Sequence, residues 1–236
     1  MNVVDDLLKD AGDSSINVDV LHVQYEEIKG AVQKEEQSSK AASEILVEFM
    51  EVAIHQILYS RKLYPEEIFI LRKKYNIPIH IASHPGLKDY ISSTLSSVQN
   101  LLQKKEICRV SLLVEDGDVP VENFLFEVNI LRDIMRKEFE YSELEQSLRS
   151  FILKISASGS QMEPLKDTCT FEILVACAAD CEADLNVLSN QDDNIKWIKV
   201  DKSDFSKQLD PKKILPIKKL TSSPILNMQL IVEQML

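Results

Sequence analysis

The side chains with the most chemical potential are three cysteines and three histidines, and their spacing serves no common reaction. Cys169, Cys177 and Cys181 stand as C-x7-C-x3-C, which lacks the paired C-x-x-C or closing histidines of a zinc site. On a strand pattern, Cys169 and Cys177 read as small core residues. His80 and His84 are four apart, on a strand-to-loop stretch with no H-E-x-x-H around them, so they read as surface or capping histidines rather than a ligand pair. His55 lies in an apolar helical pattern and reads as a hydrogen-bonded core histidine. No G-x-S-x-G is present to build a nucleophile elbow. The five glycines (Gly12, Gly30, Gly86, Gly117 and Gly159) fall at neither G-x-G-x-x-G nor G-x-x-x-x-G-K spacing, so no loop brings backbone N–H groups onto a phosphate. Carboxylates are so abundant that some Asp/Glu pair is always at hand, which removes the force of an acid–base argument. No catalytic residue, metal ligand or cofactor site is expected; a hydrolase with an unrecognised Asp/Glu/His site is the alternative from another class. Trp197, the single tryptophan, reads either as a core aromatic or as an apolar anchor on a peptide-binding edge.

Composition narrows the classes further. A 236-residue chain with 44% hydrophobic residues suits one domain with a sizeable core, with room for an appendage. Its net charge of -11 opposes a broad nucleic-acid face, since duplex binding needs clustered Lys and Arg on phosphates. Four cysteines are too sparse for a disulfide framework, so a reducing compartment is expected. No signal-peptide pattern is evident, and no apolar run reaches the ~18 residues of a bilayer span.

Residues 1–40 carry nine acidic residues against four lysines, with a weak helical stripe of Val20, Leu21, Ile28, Ala31 and Val32. They read as an acidic arm, mobile or partly helical, or more sharply as an amphipathic helix that docks on the domain or on a partner. Residues 41–63 read as a helix apolar over most of its girth and hence buried, ended by Pro65. Ile68–Ile81 reads as one strand broken at Pro78, which suggests an edge or bulge. His84-Pro85-Gly86 opens a helix to about Lys105. Ile107–Val114 and Val121–Ile130 alternate as strands, with an Asp116-Gly117 hairpin signal between them. Residues 142–156 form a third helix, with a Ser142/Glu145 capping box. Thr168–Ala178 reads as a strand, 179–194 as an acidic loop and 195–200 as a short strand around Trp197. Residues 201–224 read as a polar, proline-marked loop, and Ile225–Glu233 as a last strand. Three helices against a mainly antiparallel sheet give an α+β layout. The long loop is too long for a compact domain without a purpose.

Several stretches in this order resemble the HORMA-domain family, and within it the accessory subunits of the translesion DNA polymerase zeta. They are Phe49-Met50-Glu51-Val52-Ala53, Tyr64-Pro65, Arg72-Lys73-Lys74-Tyr75-Asn76-Ile77-Pro78, His84-Pro85, Val119-Pro120-Val121-Glu122, Leu148-Arg149-Ser150-Phe151-Ile152-Leu153-Lys154-Ile155 and Met228-Gln229-Leu230. The resemblance covers about residues 43–234. The spindle-checkpoint HORMA protein is the nearest competitor in fold.

The resemblance implies a HORMA domain over 41–236, whose segment from about 195 is a safety belt closed over a proline-containing peptide of the polymerase's catalytic subunit. Strand addition with a lid is the physical mode. By the family pattern Tyr64, Tyr90 and Trp197 line the peptide groove. Ile214, Gln229 and Ile231 face the C-terminal domain of a scaffold Y-family polymerase, although the family commonly has tyrosine where Ile231 stands. Arg149 and Lys154, on the third helix, fall at a surface for a homodimer or another HORMA protein. The implied protein is a non-catalytic adaptor in DNA damage tolerance that touches neither nucleic acid nor membrane. It is placed in the nucleus, with cytoplasm and spindle as further locations. The alternative is a checkpoint or meiotic HORMA adaptor holding a different closure-motif peptide.

Overall fold

A computed structural model describes residues 18–104, 107–131, 141–177, 197, 211–221, 223 and 226–235. Two compact units divide the chain, Met1–Gln37 and Ser38–Leu236. The described part of the first is helical, with Val32 exposed. The expected loop at 179–194 lies outside the described residues, as does the expected strand at 195–200 apart from Trp197.

The first helix, α1, runs Val18–Ser60, starting well before the 41 expected from its apolar pattern. Its part in the second unit is apolar nearly all round, and Leu46, Phe49, Met50, Val52, Ala53, Ile54, Ile57 and Leu58 are buried. Pro65 does not stop it. Leu63 N–H bonds the Leu58 carbonyl and Lys62 N–H that of Tyr59 (both 3.1 Å), with Lys62 at φ 56°. This is a Schellman turn, completed before the proline is reached.

The expected single strand at 68–81 is instead a hairpin, β1 (Phe69–Lys74) with β2 (Ile77–Ala82). Tyr75 and Asn76 both have positive φ, 48° and 58°, as a two-residue type I′ loop requires. The sequence offered Tyr-Asn there rather than the usual Asn-Gly, which hid the turn. Helix α2 covers Pro85–Lys104, with proline at the first helical position and His84 Nδ1 accepting the Leu87 N–H (3.4 Å).

Strands β3 (Ile107–Asp116) and β4 (Val119–Ile130) pair through a Gly117-Asp118 loop, with Gly117 at φ 66°. The loop pair is thus Gly-Asp, one residue beyond the Asp-Gly signal. Helix α3 covers Tyr141–Ser158. Ser142 therefore sits in its first turn rather than before it, and Leu144, Leu148, Phe151, Ile152 and Ile155 are buried. β5 is Cys169–Cys177.

The stretch read as a loop, 201–224, contains a strand, β6 (Lys213–Leu220), which pairs with β7 (Leu226–Gln234). β6 is an edge strand, and its register shifts between Pro216 and Lys218. An edge with a bulge is where a strand tolerates proline, so Pro216 masked it in the sequence.

The main sheet is antiparallel, in the order β5-β3-β4-β7-β6. Val110, Leu112 and Val114, Phe124, Phe126 and Val128, and Met228, Leu230 and Val232 form one face and join the helices' buried residues in a single core. Phe49 of α1 meets Phe151 of α3 edge to face at 5.6 Å. Cys169 is buried in this core.

Candidate functional site

Edge strands expose unpaired N–H and C=O groups, and proteins guard them with lysine, proline or bulges. Among the described residues, β5 and β6 are the outer strands of the main sheet. β6 has every guard: Lys213, Lys218, Lys219, Pro216 and a bulge. β5, with the sequence CTFEILVAC, has no lysine or proline, and Glu172 is its one charge. An unguarded edge of β-branched and aromatic residues is suited to accept another strand.

An aromatic cluster sits at that edge. The ring of Phe171 on β5 lies 6.2 Å from Tyr64 and 5.7 Å from Tyr90, both edge to face. Tyr64 is placed by the turn that ends α1, and Tyr90 projects from the second turn of α2, 42% exposed. Burial pushes both phenols above the usual tyrosine range; at Tyr90 a backbone hydrogen bond at Ile173 acts the other way. Both hydroxyls therefore stay neutral and can donate or accept at the rim of an apolar surface.

Trp197 is half-buried and packs against the core. Its Nε1 is buried with no hydrogen-bond partner. An indole N–H can only donate, and leaving such a donor unpaired costs about 1–3 kcal/mol. Of the three residues expected to line one groove, the structure brings Tyr64 and Tyr90 to a common ring; no ring contact ties Trp197 to them among the described residues. Phe171 was missed. The reading of Thr168–Ala178 as a strand gives Phe171 no role of its own. An aromatic in a strand without lysine or proline was the signal.

Ile214, Gln229 and Ile231 share the opposite face of β6 and β7 from the core. Ile231 pairs with Leu125 on one side and Pro216 on the other, Gln229 with Glu127 and Lys219, and Ile214 with Glu233. Ile214 is 56% exposed. Arg149 and Lys154 are both exposed on α3, but five residues apart they point about 140° away from each other around the axis. Leu153, 49% exposed, lies between them.

A buried ionic network holds β7 in place. Arg61, just past α1, meets Glu122 of β4 through two parallel bonds, Nε–Oε2 at 2.8 Å and Nη2–Oε1 at 2.9 Å. The two side chains are 4% and 1% exposed. Arg61 also donates to the carbonyls of Gly159 (3.0 Å) and Glu163 (2.5 Å), and Gln234 of β7 donates to Glu122 Oε1 (2.9 Å). One carboxylate thus ties together the end of α1, the chain after α3 and the last strand.

The histidines serve local structure. His80 stacks on Tyr59, ring centroids 3.4 Å apart, and His84 caps α2. His55 is buried, and its Nδ1 accepts the Ala82 N–H at a long 3.5 Å, while Nε2 has no partner. It is a core histidine, but only half satisfied. Burial, with Lys88 nearby, lowers its pKa to about 4.

Comparison with known proteins agrees with this architecture. The HORMA domain model matches residues 42–203. A Homo sapiens protein, mitotic spindle assembly checkpoint protein MAD2B, is 38% identical over 83% of this chain and 92% of its own length. The Arabidopsis thaliana DNA polymerase zeta processivity subunit is 32% identical over 81% of this chain and 86% of its own. Among solved structures, a chain of the mitotic checkpoint complex superposes with a TM-score of 0.69 at 23% identity, covering 84% of this chain and 97% of that one. C. elegans HTP-2 bound to a HIM-3 closure motif superposes with a TM-score of 0.63 at 12% identity, covering 84% and 91%. With a family model over most of its length and relatives above 30% identity across four-fifths of it, the chain belongs to the HORMA-domain family.

Proposed function

We propose that this chain is the peptide-binding, non-catalytic accessory subunit of a DNA polymerase zeta, acting in the nucleus in DNA damage tolerance. A proline-containing peptide of the catalytic subunit adds as a strand to β5, with its apolar side chains on Phe171, Tyr64 and Tyr90. Trp197, on the belt segment from about 195, supplies its free indole N–H to a peptide carbonyl. The outer face of β6–β7, with Ile214, Gln229 and Ile231, meets the scaffold polymerase's C-terminal domain. α3, with Arg149 and Lys154, meets a second HORMA protein. Residues 1–40 form an acidic arm ahead of the domain.

The observation that carries this reading is the contrast between the two outer strands of the sheet among the described residues: β6 carries lysines, a proline and a bulge, whereas β5 has neither lysine nor proline and lies beside an aromatic cluster. The names of the relatives supply the polymerase, and HTP-2, which shares the fold, is bound to a closure motif. Trp197 is the sole tryptophan, so its fluorescence tests whether it lies in the groove. A proline-bearing peptide of the catalytic subunit should shift that emission on titration, and Phe171→Ala should weaken binding at least tenfold in a chain that still folds. Unchanged affinity in folded Phe171→Ala would remove β5 as the docking edge. The second reading, a checkpoint or meiotic adaptor, rests on the spindle-checkpoint name of the MAD2B relative. Tighter binding of a checkpoint closure motif than of the polymerase peptide would favour it.

A further inference from the structure

The β1–β2 hairpin presents a second strand edge, and its two sides differ in one decisive way. The Ser83 N–H bonds the Ile68 carbonyl (2.7 Å), which fixes the phase of the antiparallel ladder. Ile70, Arg72 and Lys74 turn their backbone groups towards β2, and Leu71 and Lys73 turn theirs outward. On β2 the outward positions are 78, 80 and 82. Each is closed: Pro78 has no N–H, the His80 N–H bonds Gln56 Oε1 (3.1 Å) and the Ala82 N–H bonds His55 Nδ1 (3.5 Å). On β1 the outward groups of Leu71 and Lys73 have no partner among the described residues.

The side chains along the open edge have a definite chemistry. Leu71 is 63% exposed and Ile70 39%. Arg72 and Lys73 are exposed, with no carboxylate paired to them among the described residues; only Lys74 is paired, with Glu48. At the other end of β1 stand exposed Glu66 and Glu67. In a chain of net charge -11 Arg72 and Lys73 are the cations this edge offers, while Glu48, Glu51 and Glu145 lie near Tyr75 of the turn. Tyr75 ties the tip to the core. Tyr75 occupies a left-handed conformation (φ 48°) that non-glycine residues adopt at a cost, and its ring packs against the core 6.4 Å from Phe49. Such strain persists only where the surroundings enforce it, and it accumulates at functional sites.

We infer that β1 is a docking edge for an extended acidic segment of a partner protein, one with a pair of apolar residues followed by a pair of Asp or Glu, its acidic end at the hairpin tip. Main-chain bonds to Leu71 and Lys73 supply the pairing, Leu71 and Ile70 the apolar contact, and Arg72 and Lys73 the selection. Cations on an edge repel basic strands and resist burial under apolar ones, as a guard does, while they attract an acidic one and set its direction.

The probe is a capped peptide with two valines followed by two glutamates at its centre and threonines on either side, titrated into the 15N-labelled full chain, with the same peptide carrying lysines for the glutamates as its charge-reversed control. Saturable amide shifts at residues 69–74, with hydrogen exchange at Leu71 and Lys73 slowed at least tenfold, are expected. R72E/K73E should weaken binding at least tenfold, Phe171→Ala should leave it unchanged, and raised salt should weaken it. The proposal is overturned by no saturable binding at millimolar peptide, by shifts on β5 instead, or by equal binding of the lysine peptide. It is also overturned if a single-stranded oligonucleotide shifts the same amides at lower concentration, which would reassign the edge to phosphate.

Discussion

Arg61 and Glu122 give the sharpest quantitative test. Both are nearly inaccessible, and the guanidinium forms a bidentate pair with the carboxylate plus two bonds to main-chain carbonyls. Taking two ions out of water is costly, so such a pair adds little net stability against a well-packed apolar replacement, yet removing one member strands the other at about 3–5 kcal/mol. Arg61→Met leaves the Glu122 carboxylate buried with only Gln234 to solvate it. Glu122→Leu leaves a guanidinium that keeps its two carbonyl acceptors, so it should cost less, near the lower end of that range. In Arg61→Met/Glu122→Leu neither ion remains, and the residual cost is that of two carbonyls and one amide losing partners. The double variant should therefore be more stable than Arg61→Met alone, with a coupling of about 2 kcal/mol or more. Urea unfolding of the four proteins, followed by circular dichroism, measures it. Against a total stability of about 5–15 kcal/mol, Arg61→Met sits close to unfolding; its failure to fold while the double variant folds has the expected sign. Additive losses, with a coupling below about 0.5 kcal/mol, would refute the reasoning.

Three further outcomes are expected. His55 has a folded pKa of about 4 against about 6.5 unfolded; between those values the unfolded state binds the extra proton, so stability is complete above pH 6.5 and falls by about 3 kcal/mol as pH drops to 4. His55→Gln, whose amide oxygen can still accept the Ala82 N–H, should flatten that part of the stability-versus-pH curve, and a parallel curve would count against the burial argument. Lys62→Gly should raise stability by about 0.5–1 kcal/mol, because Lys62 is exposed and holds the left-handed position of the Schellman turn; thermal unfolding checks the sign. Gly159→Ala should lose about 1–3 kcal/mol, since its added methyl would meet the Ser60 carbonyl oxygen at 3.0 Å, and a neutral result would show that this junction yields.

The parts of the fold legible in the sequence are those where one periodicity dominates. Phe124, Phe126, Val128 and Ile130 alternate cleanly, and their burial follows; the apolar girth of α1 announced a core helix. What the sequence hid was governed by backbone conformations that side-chain pattern does not encode. Lys62, Tyr75 and Asn76 all adopt left-handed angles without glycine, so the end of α1 and the turn of the β1–β2 hairpin carried no glycine signal. Pro216 concealed β6 because a rule against proline in strands yields at a bulged edge. For the site, resemblance supplied Tyr64 and Tyr90, but only the fold could show that both converge on Phe171, from parts of the chain more than eighty residues away.

The position of β7 connects the buried network to the proposed groove. The two-stranded β6–β7 unit extends the β5-β3-β4 sheet at its β4 end. Here it lies on β4, where Gln234 reaches Glu122 and the Met235 N–H bonds the Val121 carbonyl (3.0 Å). That placement keeps β6 and β7 away from β5. Weakening the Glu122–Gln234 contact should thus lower peptide affinity without touching any groove residue. Gln234→Leu tests it: the variant keeps Arg61 and Glu122 paired, so stability should fall by only about 1–2 kcal/mol. If β7's anchorage keeps β5 open, the peptide's apparent Kd should rise several-fold in the folded protein. An unchanged Kd would mean that β5 stays available wherever β7 lies, and the network would then be a matter of stability alone.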